Sequence, residues 1–433
     1  MRLLYLTAGA AEMYCGSCLR DNALAAALKA RGHDVVLSPV YTPTTTDEPN
    51  VSETKVIFGG VSVFLQQHVS LFRHTPAVLD RVWDSTPVLR LASRRQIKVD
   101  PAVLGEMTVS MLKGADGFQR KEVRKMLRWL AHERPFSAVN LPFALLIGLA
   151  GPLRDALKVP IVCTLQGEDL FLDQLTEPWR SQALDLIRCK VADVDLFIAV
   201  SDYYRDFMTR HLGIAPGRMR VVPIGITLEG HEVRRAYDDR PFTIGYFGRI
   251  APEKGLHVLA DAYRRLRAKA QAPPTRLFAG GYLLEEHRGY LDGITRSLDA
   301  AGLGGHLKYI AAPNRNEKIR LIHGMDVMSM PATYDEPKGL SLLEAMANGV
   351  PVVQPRRGAF TEIVERTGGG LLVPPDDPDA LADTLLSLAL DRRRAAAIGR
   401  AGAAGVRRHY SIDHMADAAE RIYKEVGTPP RGR

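Results

Sequence analysis

Cysteine is scarce in this 433-residue chain: Cys15, Cys18, Cys163 and Cys189 are the only four. That is too few for a disulfide scaffold and fits a reducing compartment. No stretch approaches the ~20 consecutive apolar residues that a membrane span needs. The opening MRLLYLTAGAAEMYC carries one Arg and an apolar run too short for a signal peptide, with no cleavage context, so it reads as a first strand. A cytoplasmic protein is the expectation. The loop TAGAAEMYCGSC lacks the G-x-G-x-x-G spacing of dinucleotide enzymes, which argues against a nicotinamide-dependent oxidoreductase. The histidines, among them His33, His68, His74, His132 and His257, show no metal-ligand spacing. No nucleic-acid recognition motif accompanies the basic residues, so no nucleic-acid partner is expected.

What is present is a soluble globular composition, 46% hydrophobic and 24% charged, with a formal net charge of +8. The length suggests two domains. Strand-like runs alternate with helical periodicity: Arg2–Thr7, a helix over Cys18–Arg31, then Asp34–Ser38, Ala138–Pro142, Pro160–Leu165 and Leu196–Val200, with amphipathic segments at Gly148–Leu157 and Pro178–Ala192. A second series starts at Phe242 and runs through a helix at Gly255–Ala270 and strands at Arg276–Gly280, Leu307–Ala311 and Asp326–Met330. It continues with a helix at Leu340–Asn348 and a strand at Pro351–Pro355. Alternation of this kind predicts two doubly wound α/β units in tandem. The boundary falls in the polar stretch between Ile226 and Arg240. The expected domains are 1–226, 227–412 and a C-terminal helix at 413–426 packing back on the first. Residues 65–133, which include Trp83 and Trp129, break the rhythm as a helical insertion. It is basic, with 13 Lys/Arg against 7 Asp/Glu from Arg73 to Arg134. Such a segment is either a solvated helical face or a surface for anionic lipid or substrate.

Two segments carry chemistry. In Gly248-Arg249-Ile250-Ala251-Pro252-Glu253-Lys254-Gly255, two cations lie between a strand end and a helix start, where an anion such as a diphosphate is stabilised. Arg offers it a planar fork and Lys a point charge. In Glu336-Pro337-Lys338-Gly339-Leu340-Ser341-Leu342-Leu343-Glu344, two glutamates flank a glycine at a helix start. Gly339 permits close backbone approach. The N–H groups of Gly339, Leu340 and Ser341 can meet phosphate oxygens, and the carboxylates can accept hydrogen bonds from a diol.

The pair Glu336 and Glu344 within EPKGLSLLEAMANGVPVV closely resembles the E-x7-E motif of family 4 glycosyltransferases, which have the GT-B fold. YFGRIAPEKGLHVLADA resembles that family's diphosphate segment, and MRVVPIGI with DLFIAVSDYYRDFM its interdomain segment. The resemblance implies two Rossmann-like domains facing across a cleft. It assigns Arg249 and Lys254 to the donor diphosphate, Glu336 to hydroxyls of the donor sugar and Glu344 to the ribose. Pro337, Lys338, Gly339, Leu340 and Ser341 would meet sugar and phosphates, and Gly248 belongs to the diphosphate segment. The base would lie near Gly280–Gly281 and Tyr309–Pro313, including Ala312. Gly16, in the loop Ala8–Ser17, would lie near the phosphates or the acceptor.

The resemblance further implies retention of anomeric configuration, a UDP- or GDP-linked hexosyl donor, and neither cofactor nor metal. Glu336, Arg249 and Lys254 are then the catalytic candidates. The acceptor is a hydroxyl on a lipid-linked molecule or a glycan, with peripheral contact to an anionic membrane at its inner face as an option. The chain departs from the family in three places. Ile224-Gly225-Ile226-Thr227 stands where an Asn-Gly and Asp pattern is common near the interdomain hinge. Lys338 stands where an aromatic residue is common. Gln166 stands where many members have His, and it cannot titrate. Gln166, Glu168 and Asp169 are therefore the acceptor-side candidates, with helix capping an equal option for Asp169. Cys15-Gly16-Ser17-Cys18 mimics a redox motif but reads as loop structure, and Asp193-Val194-Asp195 reads as a turn. A nucleotide-sugar epimerase and a non-catalytic nucleotide-sugar binding module are the alternatives.

Overall fold

The computed structural model describes residues 1–9, 15–59, 63, 66–67, 101–233, 240–311 and 314–427. Two compact units emerge: Met1–Pro223 together with the stretch from Met415, and Ile224–His414. Each is built on one six-stranded sheet.

In the first unit the strands are β1 (Arg2–Thr7), β2 (Asp34–Pro39), β3 (Ala138–Leu141), β4 (Ile161–Leu165), β5 (Leu196–Ala199) and β6 (Met219–Val221), in spatial order 2-1-3-4-5-6. Every described pairing is parallel. β3, β4 and β5 are buried at every position, as strands covered on both faces must be. Helix α1 (Gly16–Ala30) follows β1. Of the basic insertion, residues 101–112 and the amphipathic α2 (Arg120–Leu130) are helical, while 64–65 and 68–100, Trp83 included, lie outside the described residues. Helices α3 (Asp169–Gln174) and α4 (Asp202–Leu212) follow β4 and β5.

The second unit holds β7 (Phe242–Phe247), β8 (Thr275–Gly280), β9 (Leu307–Ile310), β10 (Val327–Met328), β11 (Val352–Pro355) and β12 (Gly370–Val373), in order 12-11-10-7-8-9, again parallel throughout. Renumbered from its own first strand this is 6-5-4-1-2-3, the doubly wound order of dinucleotide-binding sheets. The direction of winding reverses between β7 and β10, and ligands bind outside the carboxyl ends of the strands at such a point. Helices α5 (Leu256–Arg267), α6 (Arg315–His323), α7 (Leu340–Ala347) and α8 (Ala359–Thr367) belong to this unit.

The C-terminal helix α9 (Ile412–Gly427) runs into the first unit. There Tyr423 packs edge-on to Tyr5 at 6.1 Å and donates to Asn140 Oδ1 at 3.1 Å, and Glu425 pairs with Arg220 at 2.6 Å. Among the described residues no helix is long and apolar enough to cross a membrane.

Candidate functional site

The loops that leave β7 and β10 meet at the switch point of the second unit. Thr333 N–H donates to Glu253 O at 3.0 Å, tying one loop to the other. Gly255 makes this approach possible. Its φ is +77°, and a Cβ there would sit 1.8 Å from Pro331 O, a clash with backbone that no side-chain rotation relieves. Gly255 also precedes α5, so Lys254 is held just outside a helix N-terminus.

Lys254 Nζ lies 2.5 Å from Glu336 Oε2 and also donates to the Tyr334 hydroxyl, which in turn donates to Glu336 Oε2. The ammonium stands 4.8 Å from the Tyr334 ring centroid. Glu336 is only 4% exposed. Burial pushes its carboxyl up, but the Lys254 charge, then that of Lys338 and the hydrogen bonds from Lys254 and Tyr334, outweigh it and hold the group at about 2. At neutral pH Glu336 is a carboxylate, which only accepts hydrogen bonds. Its other oxygen accepts from Lys338 N–H at 3.3 Å. The Glu336 backbone is fixed from a third direction: Ala359 N–H, at the start of α8, donates to Glu336 O at 2.8 Å.

Gly339 caps α7 in the left-handed region, φ +68°. Leu342 and Leu343 donate to its carbonyl at 3.1 and 3.3 Å. The N–H groups of Gly339, Leu340 and Ser341 precede the first intrahelical bond and form the positive end of the helix. α7 is buried from Ser341 to Ala347, and Glu344 within it pairs with Lys318 of α6, Nζ to Oε1 at 2.7 Å. The lysine is thus bonded to Oε1 of the carboxylate. Two nearly dry ion pairs, Lys254–Glu336 and Lys318–Glu344, therefore line one edge of one sheet. Buried pairs stabilise a fold poorly, because desolvation offsets their attraction, so their concentration here points to ligand chemistry.

Arg249 is 43% exposed in its side chain and forms an ion pair with Glu253. Gly248 N–H donates to Gly280 O at 3.1 Å, and a Cβ on Gly281 would fall 2.0 Å from Gly248 O, so the ends of β7 and β8 touch. A Cβ on Gly280 would meet the end of the Leu321 side chain at 1.9 Å, so that side chain would have to shift. Tyr309 donates to Gly281 O at 2.9 Å. Ala312 and Pro313 lie outside the described residues. The structure thus gathers Gly248, Arg249, Lys254, Glu336, Pro337, Lys338, Gly339, Leu340, Ser341 and Glu344 in the switch-point loops and the helix that follows. Sequence reasoning overlooked Tyr334 and Lys318. The signal for Lys318 is a lysine amid the apolar positions of α6, two of whose neighbours, Ile319 and Ile322, are buried. Tyr334 carries none beyond its place two residues before Glu336.

In the first unit the acceptor-side candidates cluster after β4. Glu168 is 5% exposed. Its Oε1 accepts from Ala144 N–H at 2.9 Å, and Oε2 faces Gln166 N–H, Gly167 N–H and Tyr204 OH at 2.8, 3.0 and 3.1 Å. Burial raises its carboxyl, an effect the backbone N–H bonds only partly offset. Glu168 thereby clasps the turn that follows β4. Asp169, the first residue of α3, accepts from Tyr204 OH at 2.7 Å. Gln166 donates to Pro142 O at 2.8 Å and reaches Asp21 at 3.4 Å. Gly16 opens α1 behind Cys15, while residues 10–14 of the first loop lie outside the described residues. Asp195 Oδ2 is taken by Ile161 N–H at 2.8 Å and Arg154 at 2.9 Å, as suits a turn.

Two tandem doubly wound units, with paired cations and carboxylates at the second switch point, define a two-domain α/β protein of the GT-B class. The model for glycosyl transferases group 1 matches residues 231–404, and that for the glycosyl transferase 4-like domain matches residues 21–225. The chain belongs to the family 4 glycosyltransferases. Similar relatives include the D-inositol 3-phosphate glycosyltransferase of Saccharomonospora viridis, 29% identical over 259 residues, covering 56% of this chain and 58% of the relative. Another is the GDP-mannose-dependent alpha-(1-6)-phosphatidylinositol monomannoside mannosyltransferase of Mycolicibacterium smegmatis, 29% identical over 310 residues, covering 67% and 76%. The chain thus spans less than two thirds of the first relative's length. Among solved structures, sucrose-phosphate synthase from Thermosynechococcus elongatus superposes with a TM-score of 0.71 at 18% identity, covering 98% of both chains. Anabaena HepE in complex with UDP and glucose gives 0.68 at 16% identity, covering 98% of this chain and 100% of the other. At these identities the likeness is one of fold.

Proposed function

We propose that the protein transfers a hexosyl unit, with retention, from a UDP- or GDP-linked sugar to a hydroxyl acceptor, without a metal ion. The observation that carries this reading is the Lys254–Glu336 pair at the switch point of the second sheet, beside the N-terminus of α7. Names among the relatives and structural neighbours point the same way: one relative is GDP-mannose-dependent, and one neighbour was solved with UDP and glucose.

In this mechanism the donor diphosphate faces Lys254, Arg249 and the N–H groups of Gly339, Leu340 and Ser341. Glu336, ionised at neutral pH, accepts from sugar hydroxyls, and Glu344 Oε2 accepts from the ribose. The acceptor hydroxyl attacks the anomeric carbon on the face from which the nucleoside diphosphate departs. The C–O bond to the phosphate breaks, and the leaving phosphate takes the acceptor proton. Lys254 and the helix N-terminus stabilise the charge that develops on the leaving group, a preorganised electrostatic effect. These fixed positive groups occupy the role a metal would otherwise fill, so chelator should leave turnover unchanged. The acceptor is a lipid-linked molecule or a glycan. The basic face of α2, with Arg124 and Arg128 exposed, suits contact with an anionic bilayer carrying it.

The test is Lys254→Ala. Loss of the ammonium should lower turnover of the best nucleotide sugar by about 10²-fold, roughly 2–4 kcal/mol. Turnover within about tenfold of wild type would remove Lys254 from the mechanism.

A further inference from the structure

Tyr334 has no role in the mechanism above, yet it completes the geometry on which that mechanism depends. The three groups Lys254, Tyr334 and Glu336 form a closed triangle of hydrogen bonds. Its directions are fixed by chemistry: an ammonium only donates, a carboxylate only accepts, and a phenol does both. Lys254 therefore spends one N–H on Tyr334 and one on Glu336 Oε2, while Tyr334 spends its proton on the same carboxylate oxygen.

This leaves one Lys254 N–H for a ligand. Glu336 Oε1, which takes the Lys338 N–H at 3.3 Å, keeps a second lone pair for another. The ring of Tyr334, with Nζ 4.8 Å from its centroid, adds a cation–π contact that holds the flexible lysine stem to one side. Tyr334 is itself anchored, because its neighbours on both sides are tied down. Thr333 is bonded to Glu253, Asp335 lies 3.9 Å from Arg357, and the Glu336 carbonyl is held by Ala359.

We infer that Tyr334 is a positioning residue for sugar transfer, holding the Lys254 ammonium and the Glu336 carboxylate in fixed register so that each presents its remaining valence to the donor. Without the hydroxyl, Lys254 and Glu336 still attract each other and the ring still flanks the ammonium, but no hydrogen bond sets the angle between the two charges. The ammonium can then slide along the carboxylate, and its third N–H no longer points at one place. Small losses of register at a reacting centre lower the rate more than they weaken binding.

The inference rests on the proposed function, and the experiment separates the two. Four proteins are compared: wild type, Tyr334→Phe, Lys254→Met and the double variant. Each is assayed for release of nucleoside diphosphate from UDP-glucose and GDP-mannose, and for binding of UDP and GDP by calorimetry. Tyr334→Phe keeps the ring and removes only the hydroxyl. It should lower kcat about tenfold while KM for the donor and affinity for the nucleoside diphosphate stay within about threefold. In the Lys254→Met background the same change should cost less than about twofold, because a residue acting through Lys254 has nothing left to position. A merely structural tyrosine would lower kcat by the same factor in both backgrounds, and that result overturns the inference. So does a Tyr334→Phe enzyme with wild-type kcat. If Lys254→Met itself matches wild type, or if wild type neither binds nor cleaves either probe, the proposed function fails instead.

Discussion

A buried carboxylate held at about 2 makes Glu336 a source of pH-dependent stability as well as the binding group proposed for the donor sugar. Its ordinary value is 4.5, and the folded value is depressed. The folded state therefore gains stability that is fully present above about 4.5 and lost as the pH falls toward 2. The size is on the order of 3 kcal/mol. Glu336→Gln should flatten the acid limb of a stability-versus-pH curve in that window, measured by denaturant titration at successive pH values. It should also lower stability at pH 7, because Lys254 loses its partner in a nearly dry site. An unchanged acid limb would mean that the carboxylate is not held down by Lys254. At this scale the sequence was legible where residue type alone restricts chemistry. Arg249, Lys254, Glu336 and Glu344 stand out as charges beside strand ends. Tyr334 and Lys318 do not, because their importance lies in which charge each one touches, and that contact is made across 80 and 26 residues of chain. Glu168 shows the converse. Its type and its place after a strand are legible, but the backbone N–H groups from which its oxygens accept are not, because no spacing rule reveals them.

The loops at the ends of β7 and β10 work as a pair because of glycine at two positions. Gly255 lets one loop pass under the other, and Gly339 turns the chain into α7 with a left-handed residue. Gly255→Ala combines a positive-φ penalty of about 1–2 kcal/mol with a backbone clash at Pro331. It should lower the midpoint of thermal unfolding and weaken nucleoside diphosphate binding together, since Lys254 and Thr333 both hang on this crossing. Wild-type binding affinity in a folded Gly255→Ala protein would show that the crossing does not set the site. Most elements could be read from alternation, because buried parallel strands are apolar runs and their crossover helices are amphipathic. The reading did not reach β6 and β12, edge strands of three and four residues. Each lies at the rim of its sheet, where one side needs no apolar neighbour and the run is too short to signal itself. α1 begins at Gly16, two residues before the apolar pattern does, because Cys15 takes the N-cap position.

For the molecule as a whole, every residue assigned to the donor lies in the unit Ile224–His414 apart from Gly16, whereas α9 belongs with the other unit. Two consequences are measurable by scanning calorimetry. A chain ending at His414 loses the Tyr423–Tyr5 packing and the Tyr423–Asn140 bond, so the transition of the first unit should fall while that of the second stays in place. A nucleoside diphosphate at a hundredfold its Kd should stabilise the second unit by about 2.7 kcal/mol by mass action, and equal movement of both transitions would contradict a donor site built in one unit. The fold class was legible at this scale because two alternating series of elements can bury their apolar faces only as two doubly wound sheets. The acceptor was not legible, since Gln166 departs from the common pattern and the basic insertion follows none. The central claim is that Lys254 and Glu336 form the donor site, and its most direct test is titration calorimetry of UDP-glucose and GDP-mannose into wild type and Lys254→Ala. The account predicts that wild type binds at least one of the two and that Lys254→Ala binds it at least about tenfold more weakly, a loss of roughly 1.4 kcal/mol. Equal affinity in the two proteins, or binding of neither sugar by wild type, would contradict it.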